Sequence, residues 1–137
     1  MSTRTGRTQP CGLHEARTRL SQARKFLEVA ELVAGEDYEE SLNVAAALAV
    51  LAGIAASDAA CCKALGRRSR GESHRDAAAL LDQIVPAGKK AGRWLNGLID
   101  LKDAAHYGLI YVTRPQLRSA IRKAAQLLEF ADDVLKR

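Results

Sequence analysis

A short cationic segment holds most of the residues of this chain that could carry out chemistry. Residues 66–74 read GRRSRGESH and contain Arg67, Arg68 and Arg70 followed by His74. Guanidinium groups bind phosphate oxygens through paired N–H donors, and a neutral imidazole accepts a proton near pH 7. Together they suit the cleavage of RNA through its own 2′-hydroxyl, with the histidine as base and an arginine stabilising charge on phosphorus. Such a segment is also typical of a solvated basic turn.

The residues before this segment predict the central helix of an all-helical core. Residues 44–65 form an almost uninterrupted run of small apolar side chains, in which Asp58 is the one carboxylate. A helix that is apolar nearly all round is buried on most sides, and a buried carboxylate needs a cation or several donors. The arginines just beyond the end of the helix are the nearest strong candidates in the sequence.

The residues after the segment predict a third helix that begins at His74. Ser73 and Asp76 have the spacing of a capping box, and an apolar stripe continues to about residue 85. His74 would then lie at a helix N-terminus, where free N–H groups and the helix dipole favour phosphate and disfavour imidazolium.

The remaining elements are also predicted to be helical. We expect a first helix over residues 14–34, a fourth over 90–106, and a last helix capped by Thr113 with Pro115 in its first turn. Residues 109–112 are predicted to be an extended connector. The predicted fold is all-α, an up-and-down four-helix bundle with an additional short helix.

Length and charge place limits on the fold and its surroundings. A chain of 137 residues suits one domain that buries about two-thirds of its surface. We assign residues 11–137 to that domain and predict that residues 1–10, which contain two arginines and no acids, form a disordered basic tail. The net charge of +5 fits an anionic partner such as nucleic acid without requiring one.

No membrane or secretory segment is expected. The N-terminus lacks the apolar stretch of a signal peptide, and the apolar run owes most of its character to alanine and contains Asp58. A buried helix of a soluble, cytoplasmic protein is therefore the better interpretation of that run.

The cysteines predict neither a disulfide framework nor a metal site. Cys61 and Cys62 are adjacent in a predicted helix, so their side chains point about 100° apart and do not bridge each other. We expect the cysteines to be small buried thiols in a reducing cytosol. No ligand cluster has chelating spacing and no cofactor motif is present, so neither a metal nor a cofactor is expected.

One side of the central helix predicts close packing with a neighbour. It consists of small residues at three- and four-residue steps: Ala46, Ala49, Gly53, Ser57 and Ala60. Such a face lets another backbone approach closely, either that of the first helix or that of a second copy of the chain.

Two motifs give the chain a family resemblance. Directly after the second long helix, five residues separate Arg68 from His74 and six separate Arg67 from it, and Lys102 begins a basic-x-x-Ala-x-Tyr pattern that ends at Tyr107. In these features, over about residues 20–135, the chain resembles the HEPN superfamily of small helical domains. The hallmark of that family is an arginine and a histidine separated by four to six residues.

The resemblance implies an activity and a set of roles. HEPN domains are commonly homodimers, and many are metal-independent endoribonucleases in which the Arg and His of two protomers form a composite site. By this resemblance His74 is general base or acid, Arg68 (or Arg67) binds the phosphate, and Asp58 orients the arginine. Further residues are expected to border the RNA: Arg70, Ser73, Lys102 and Tyr107. Tyr107 also fits a packing role.

Many HEPN nucleases act as toxins or in defence against phage, which implies a cognate antitoxin as a partner. One toxin branch is paired with nucleotidyltransferase antitoxins that attach AMP to a tyrosine two residues after the histidine. That position is Asp76 in this chain, so the sequence departs from the pattern of that branch.

Three hypotheses follow from the sequence. The first is a dimeric, metal-independent HEPN endoribonuclease, and the second is a non-catalytic HEPN module that binds nucleic acid, a nucleotide or a partner protein. The third is a plain helical scaffold. A binding module has no need to keep an arginine, a histidine and a preceding carboxylate together, which favours the first. It predicts that Asp58, Arg68 and His74 line one cleft.

Overall fold

The chain folds into a bundle of helices with a very small sheet at one end. The computed structural model describes residues 7–71, 73–107 and 111–137, except for the side chains of residues 104–107. In chain order the elements are β1 (Thr8–Pro10), α1 (Leu13–Ala34), α2 (Glu39–Leu65), β2 (Arg67–Ser69), α3 (Arg75–Leu81), α4 (Gly88–Tyr107) and α5 (Arg114–Leu135). The mostly helical character predicted from the sequence is confirmed.

Helix α2 is the centre of the bundle. It contacts all four other helices and β2. More than half of its residues are buried, and half of these are alanines, which allow neighbouring helices to approach closely. By length and composition α2 also qualifies as a membrane span, but 72% of its apolar window is buried inside the protein. Such burial is usual for the core helix of a globular domain.

The small-residue face of α2 packs inside the chain. All of its members are buried: Ala46, Ala49, Gly53, Ser57 and Ala60. At Gly53 the neighbours are Leu98 of α4 and Leu127 of α5, whose methyl groups occupy the space that a Cβ would take. The sequence suggested the first helix or a second copy of the chain as the neighbour of this face. At Gly53 that prediction is wrong, because α4 and α5 are the neighbours.

The helix termini agree with the sequence at α5 and differ at α3. Thr113 Oγ1 accepts the N–H of Gln116, which makes the expected cap. Helix α3 ends at Leu81 rather than near residue 85. Its N-cap is His74, and the hydroxyl of Ser73 accepts the N–H of Arg75 at 3.3 Å. The predicted capping box is wrong because the chain is already in a helical conformation at His74.

The N-terminal segment is ordered where the structure describes it. Strand β1 pairs antiparallel with β2, with Thr8 opposite Ser69 and Pro10 opposite Arg67. The prediction of a disordered tail is therefore wrong for residues 8–10, and residues 1–6 lie outside the described residues. Two three-residue strands without apolar alternation give no periodic signal that a sequence could show.

The cysteine prediction is also wrong for two of the three cysteines. Cys11, just after β1, forms a disulfide with Cys62 in the last turn of α2. Cys61 is the expected buried thiol. Of the predicted connector over residues 109–112, residues 109 and 110 lie outside the described part of the chain, and Val112 is buried against the start of α2.

The packing at Gly53 predicts the effect of adding one methyl group. In Gly53→Ala the new Cβ would overlap Leu98 Cδ1 and lie 3.2 Å from Leu127 Cδ1, and both leucines are fully buried. We expect the free energy of unfolding to fall by about 1–3 kcal/mol, measured by denaturant unfolding.

The matched control is Gly35→Ala at the end of α1. There the backbone has φ −76° and the nearest atom to a Cβ is Leu32 O at 3.4 Å. Its stability should change by less than about 0.5 kcal/mol. Equal effects of the two substitutions would contradict the packing described for α2.

Candidate functional site

A buried carboxylate anchors the candidate site. Asp58 lies on α2 with its side chain only 7% exposed. Its Oδ2 accepts hydrogen bonds from Arg19 of α1, with Nε at 3.0 Å and Nη2 at 2.9 Å. Arg68 of β2 approaches the same oxygen through Nη1 at 3.4 Å. As the sequence predicted, an arginine beyond the end of α2 reaches Asp58.

Arg19 is the principal partner of Asp58, and the sequence did not single it out. Its two contacts have ordinary hydrogen-bond lengths, whereas the Arg68 contact is long. Its Nη1 also donates to Gln22 Oε1 at 2.6 Å, which fixes the plane of the guanidinium. The sequence contained only a weak signal for Arg19. It lies next to Leu20 at the border of the apolar face of α1, where the aliphatic part of an arginine side chain covers buried surface.

Asp58, Arg68 and His74 line one cleft of about 320 Å³. The remaining lining residues come from four elements and the loop after β2: Arg19, Ile54, Ser69, Arg70, Gly71 and Ala77. Among all the lining side chains, three are guanidinium groups and one is a carboxylate. The lining is therefore cationic when the imidazole is neutral, and it suits a phosphate group.

The surroundings of His74 favour its neutral form. Burial lowers the pKa of His74 below its ordinary 6.5, and the charge of Lys102 lowers it further, against smaller opposing effects of Asp58 and Asp103. A histidine with such a pKa is mostly unprotonated at pH 7 and can accept a proton.

Asp58 is held between two opposing effects. Burial raises the pKa of its carboxyl above the ordinary 3.8, whereas the charges and hydrogen bonds of Arg19 and Arg68 lower it. An unpaired carboxylate at this depth would be costly, so the two arginines stabilise the charged form.

Other residues selected from the sequence lie outside this cleft. Arg67 points to the other side of β2, where its Nη2 donates to Gln83 Oε1 at 3.1 Å. The hydroxyl of Ser73 accepts the N–H of Arg75 at the start of α3. Lys102 lies on α4, close enough to affect the pKa of His74. The side chain of Tyr107 lies outside the described residues.

A second, shallower pocket of about 280 Å³ adjoins the cleft. Arg19 and Arg68 line both the cleft and this pocket. The second pocket includes Cys11 and His14, and His14 is exposed, as the sequence predicted. In the described part of the chain, no three His, Cys, Asp or Glu side chains are grouped so that they could hold a metal ion.

The Arg19–Asp58 contact predicts a pH-dependent loss of stability. Arg19→Met leaves a buried carboxylate with only the long Arg68 contact, so the free energy of unfolding at about pH 7 should fall by about 1–3 kcal/mol. Removing the cation raises the folded-state pKa of Asp58 further. An acid whose pKa is higher in the folded than in the unfolded state loses stability as pH rises, so this penalty should shrink towards about pH 4.5.

The matched control is Arg17→Met, because Arg17 is an exposed arginine on the same helix. It should change stability by less than about 0.5 kcal/mol. In addition, Asp58→Asn should reduce the cost of Arg19→Met, since no buried charge then remains. A penalty that is independent of both pH and Asp58 would contradict this account of the contact.

Comparisons with known proteins give the chain no family. It matches no family model, no curated protein and no solved structure. The HEPN resemblance therefore stays a prediction based on the residues quoted above, and the cleft is interpreted from its own chemistry.

Proposed function

We propose that the protein is a metal-independent endoribonuclease of the HEPN type that cleaves RNA at the cleft of Asp58, Arg68 and His74. The observation that carries the proposal is the presence of a partly buried histidine in the same cleft as three arginines. In this proposal the helices form an up-and-down four-helix bundle with α3 as the additional short helix, as in HEPN domains.

The reaction follows from the groups in the cleft. The neutral imidazole of His74 takes the proton of a ribose 2′-hydroxyl, and the 2′-oxygen attacks the adjacent phosphorus. The bond to the 5′-oxygen breaks, which leaves a 2′,3′-cyclic phosphate and a 5′-hydroxyl end. Charge builds up on the phosphate oxygens during this step, and fixed guanidinium groups stabilise it.

Arg68 is the arginine best placed to bind the phosphate. Its side chain is 35% exposed, and its guanidinium makes only one long contact with Asp58, because Arg19 is the carboxylate's main partner. Its remaining N–H groups can therefore bind an anion while Asp58 limits where the side chain lies. Arg70 lines the same cleft and supplies a further positive charge.

A second copy of the chain completes the proposal. Helix α2 exposes an apolar stripe that includes Val44, 51% exposed, and Leu51, 44% exposed. Ala47 and Leu48, both half-buried, lie between these two residues, and Ile54 continues the stripe into the cleft. A homodimer formed on this stripe would bring two clefts together. The second His74, in its protonated form, could then supply the proton for the leaving 5′-oxygen.

The biological setting belongs to the same proposal. A toxin, stress or defence role in the cytoplasm, held in check by a cognate antitoxin, fits an RNA-cleaving homodimer. Asp76 stands where the AMP-modified tyrosine of one toxin branch would be. We therefore propose an antitoxin other than a nucleotidyltransferase of that kind.

The proposal predicts RNA cleavage in EDTA that depends on two residues of the cleft. His74→Ala should lower the rate by about a hundredfold or more, since the general base is lost. Arg68→Ala should lower it by about a hundredfold to a thousandfold through loss of transition-state stabilisation. Labelled RNA, with assignment of the 2′,3′-cyclic phosphate end, provides the measurement.

The matched controls are His14→Ala and Arg67→Ala, because His14 is exposed and Arg67 contacts Gln83 outside the cleft. Both should keep most of the activity.

The proposal also predicts a pH dependence. On the acid side, kcat/KM should fall with an apparent pKa below 6.5, because burial lowers the pKa of His74. RNA binding without cleavage by any variant would instead favour the non-catalytic binding module.

The dimer predicts a separate result. A variant with Val44→Glu and Leu51→Glu places two charges on the exposed stripe, so it should be monomeric by light scattering and keep its helical circular dichroism. Its RNA cleavage should fall together with dimerisation. Val85→Glu is the control, because Val85 is 81% exposed in the turns after α3. A wild-type monomer that cleaves RNA would contradict the composite site.

A further inference from the structure

The segment that carries Arg68 is held in place by the N-terminal strand. Gln9 of β1 pairs with Arg68 across the two-stranded sheet. At the two ends of this pairing, Arg70 N–H donates to the carbonyl of Arg7 at 2.9 Å and Cys11 N–H donates to the carbonyl of Gly66 at 3.0 Å. In addition to the bond from Gly66 N–H to the carbonyl of Cys62 at the end of α2, the main chain from Gly66 to Arg70 is therefore hydrogen-bonded to residues 7–11.

This partner is a weak element by itself. β1 has three residues, two of which are exposed, and an isolated pair of short strands is at best marginally stable in water. The covalent anchor is the Cys11–Cys62 disulfide, which joins residues 51 positions apart in the sequence. A cross-link that closes such a segment limits its local opening.

The anchor is attached to the same face of α2 as the carboxylate of the cleft. Cys62 follows Asp58 by one helical turn, so the two side chains lie next to each other along α2. The disulfide therefore fixes β1, and through it the main chain at Arg68, relative to Asp58. Cys11 also lines the pocket that shares Arg19 and Arg68 with the cleft.

We propose that the Cys11–Cys62 disulfide, acting through β1, positions Arg68 for RNA phosphate, so that its reduction releases the strand and weakens RNA binding at the cleft. Cys11 and the residues of β1 are positioning residues in this scheme. The inference rests on the proposed function only in taking RNA phosphate as the ligand of the cleft.

The redox step needs a dithiol reductant. One thiolate of the dithiol attacks Cys11 Sγ, because Cys11 is a partly exposed residue whereas Cys62 is 2% exposed. The bond between the two sulfurs breaks, and Cys62 leaves as a thiolate that takes up a proton. The second thiol of the dithiol then displaces Cys11. Two electrons and two protons pass to the protein, and the dithiol becomes a disulfide.

The third cysteine does not take part. Burial raises the pKa of the Cys61 thiol to about 12, with a further contribution from the charge of Asp58. Thiol exchange needs the thiolate, so Cys61 is unreactive at neutral pH. In the proposed cytoplasmic setting, the reducing cytosol favours two thiols, so RNA binding is weak until oxidation forms the Cys11–Cys62 disulfide.

The first test measures the strand directly and does not depend on catalysis. Hydrogen–deuterium exchange is followed over residues 67–70 in the oxidised protein and after treatment with dithiothreitol. Reduction should speed exchange of the Arg70 amide by about tenfold or more, because the bond to Arg7 opens with the strand. Cys11→Ser should exchange at the fast rate in both states, and Cys61→Ala should behave as the wild type.

The second test measures binding of a 2′-O-methyl RNA oligonucleotide, which cannot be cleaved through its 2′-oxygen. Reduction should weaken binding by wild type and Cys61→Ala, reoxidation should restore it, and Cys11→Ser should not respond. Circular dichroism checks that the helices remain intact.

The outcomes separate the two proposals. Exchange or binding that is the same in both redox states overturns the positioning role of the disulfide. Redox-dependent exchange and binding, without cleavage of ordinary RNA in either state, supports the positioning role and contradicts only the nuclease.

Discussion

The structure depends on how one carboxylate is accommodated inside an apolar helix. Asp58 lies in a run of alanines on the central helix and is almost entirely buried, so water solvates it poorly. Its charge is compensated by Arg19 and Arg68, which both contact Oδ2. The need to pair this buried carboxylate with cations therefore brings α1, α2 and β2 together at one point. A leucine at the same position would not need such partners. The cleft forms at this point.

The accommodation of Asp58 also explains why two arginines are needed there. Arg19 makes the shorter contacts and satisfies most of the charge, which leaves Arg68 a single contact of 3.4 Å. Were Arg68 the main partner, its guanidinium would be committed to the carboxylate, and binding a phosphate would require that ion pair to break. The division of roles lets one arginine stabilise the buried charge while the other remains able to bind an anion.

The sequence predicted the parts of this arrangement that have local signals. Long apolar periodicity predicted the helices, and a carboxylate in an alanine run predicted a contact with a nearby arginine. Arg19 was missed because it lies 39 positions from Asp58 in the sequence. The apolar pattern of α1 predicts which face of the helix is buried, but not which residue of another helix that face contacts. The β1–β2 pair and the Cys11–Cys62 bond depend on distant parts of the chain meeting in space, with the two cysteine Cα atoms 5.1 Å apart. No spacing rule predicts such a meeting.

The charges of the cleft also connect binding with proton transfer. His74 is kept neutral by burial and by Lys102, while Asp58 and Asp103 act in the opposite direction. A phosphate bound at Arg68 would add negative charge near the imidazole and so favour its protonated form. In the proposed reaction, the base would therefore be stabilised as imidazolium once it has taken the 2′-proton. The surroundings of His74 thus keep it unprotonated and able to accept a proton, and in the proposed reaction a bound phosphate would strengthen it as a base.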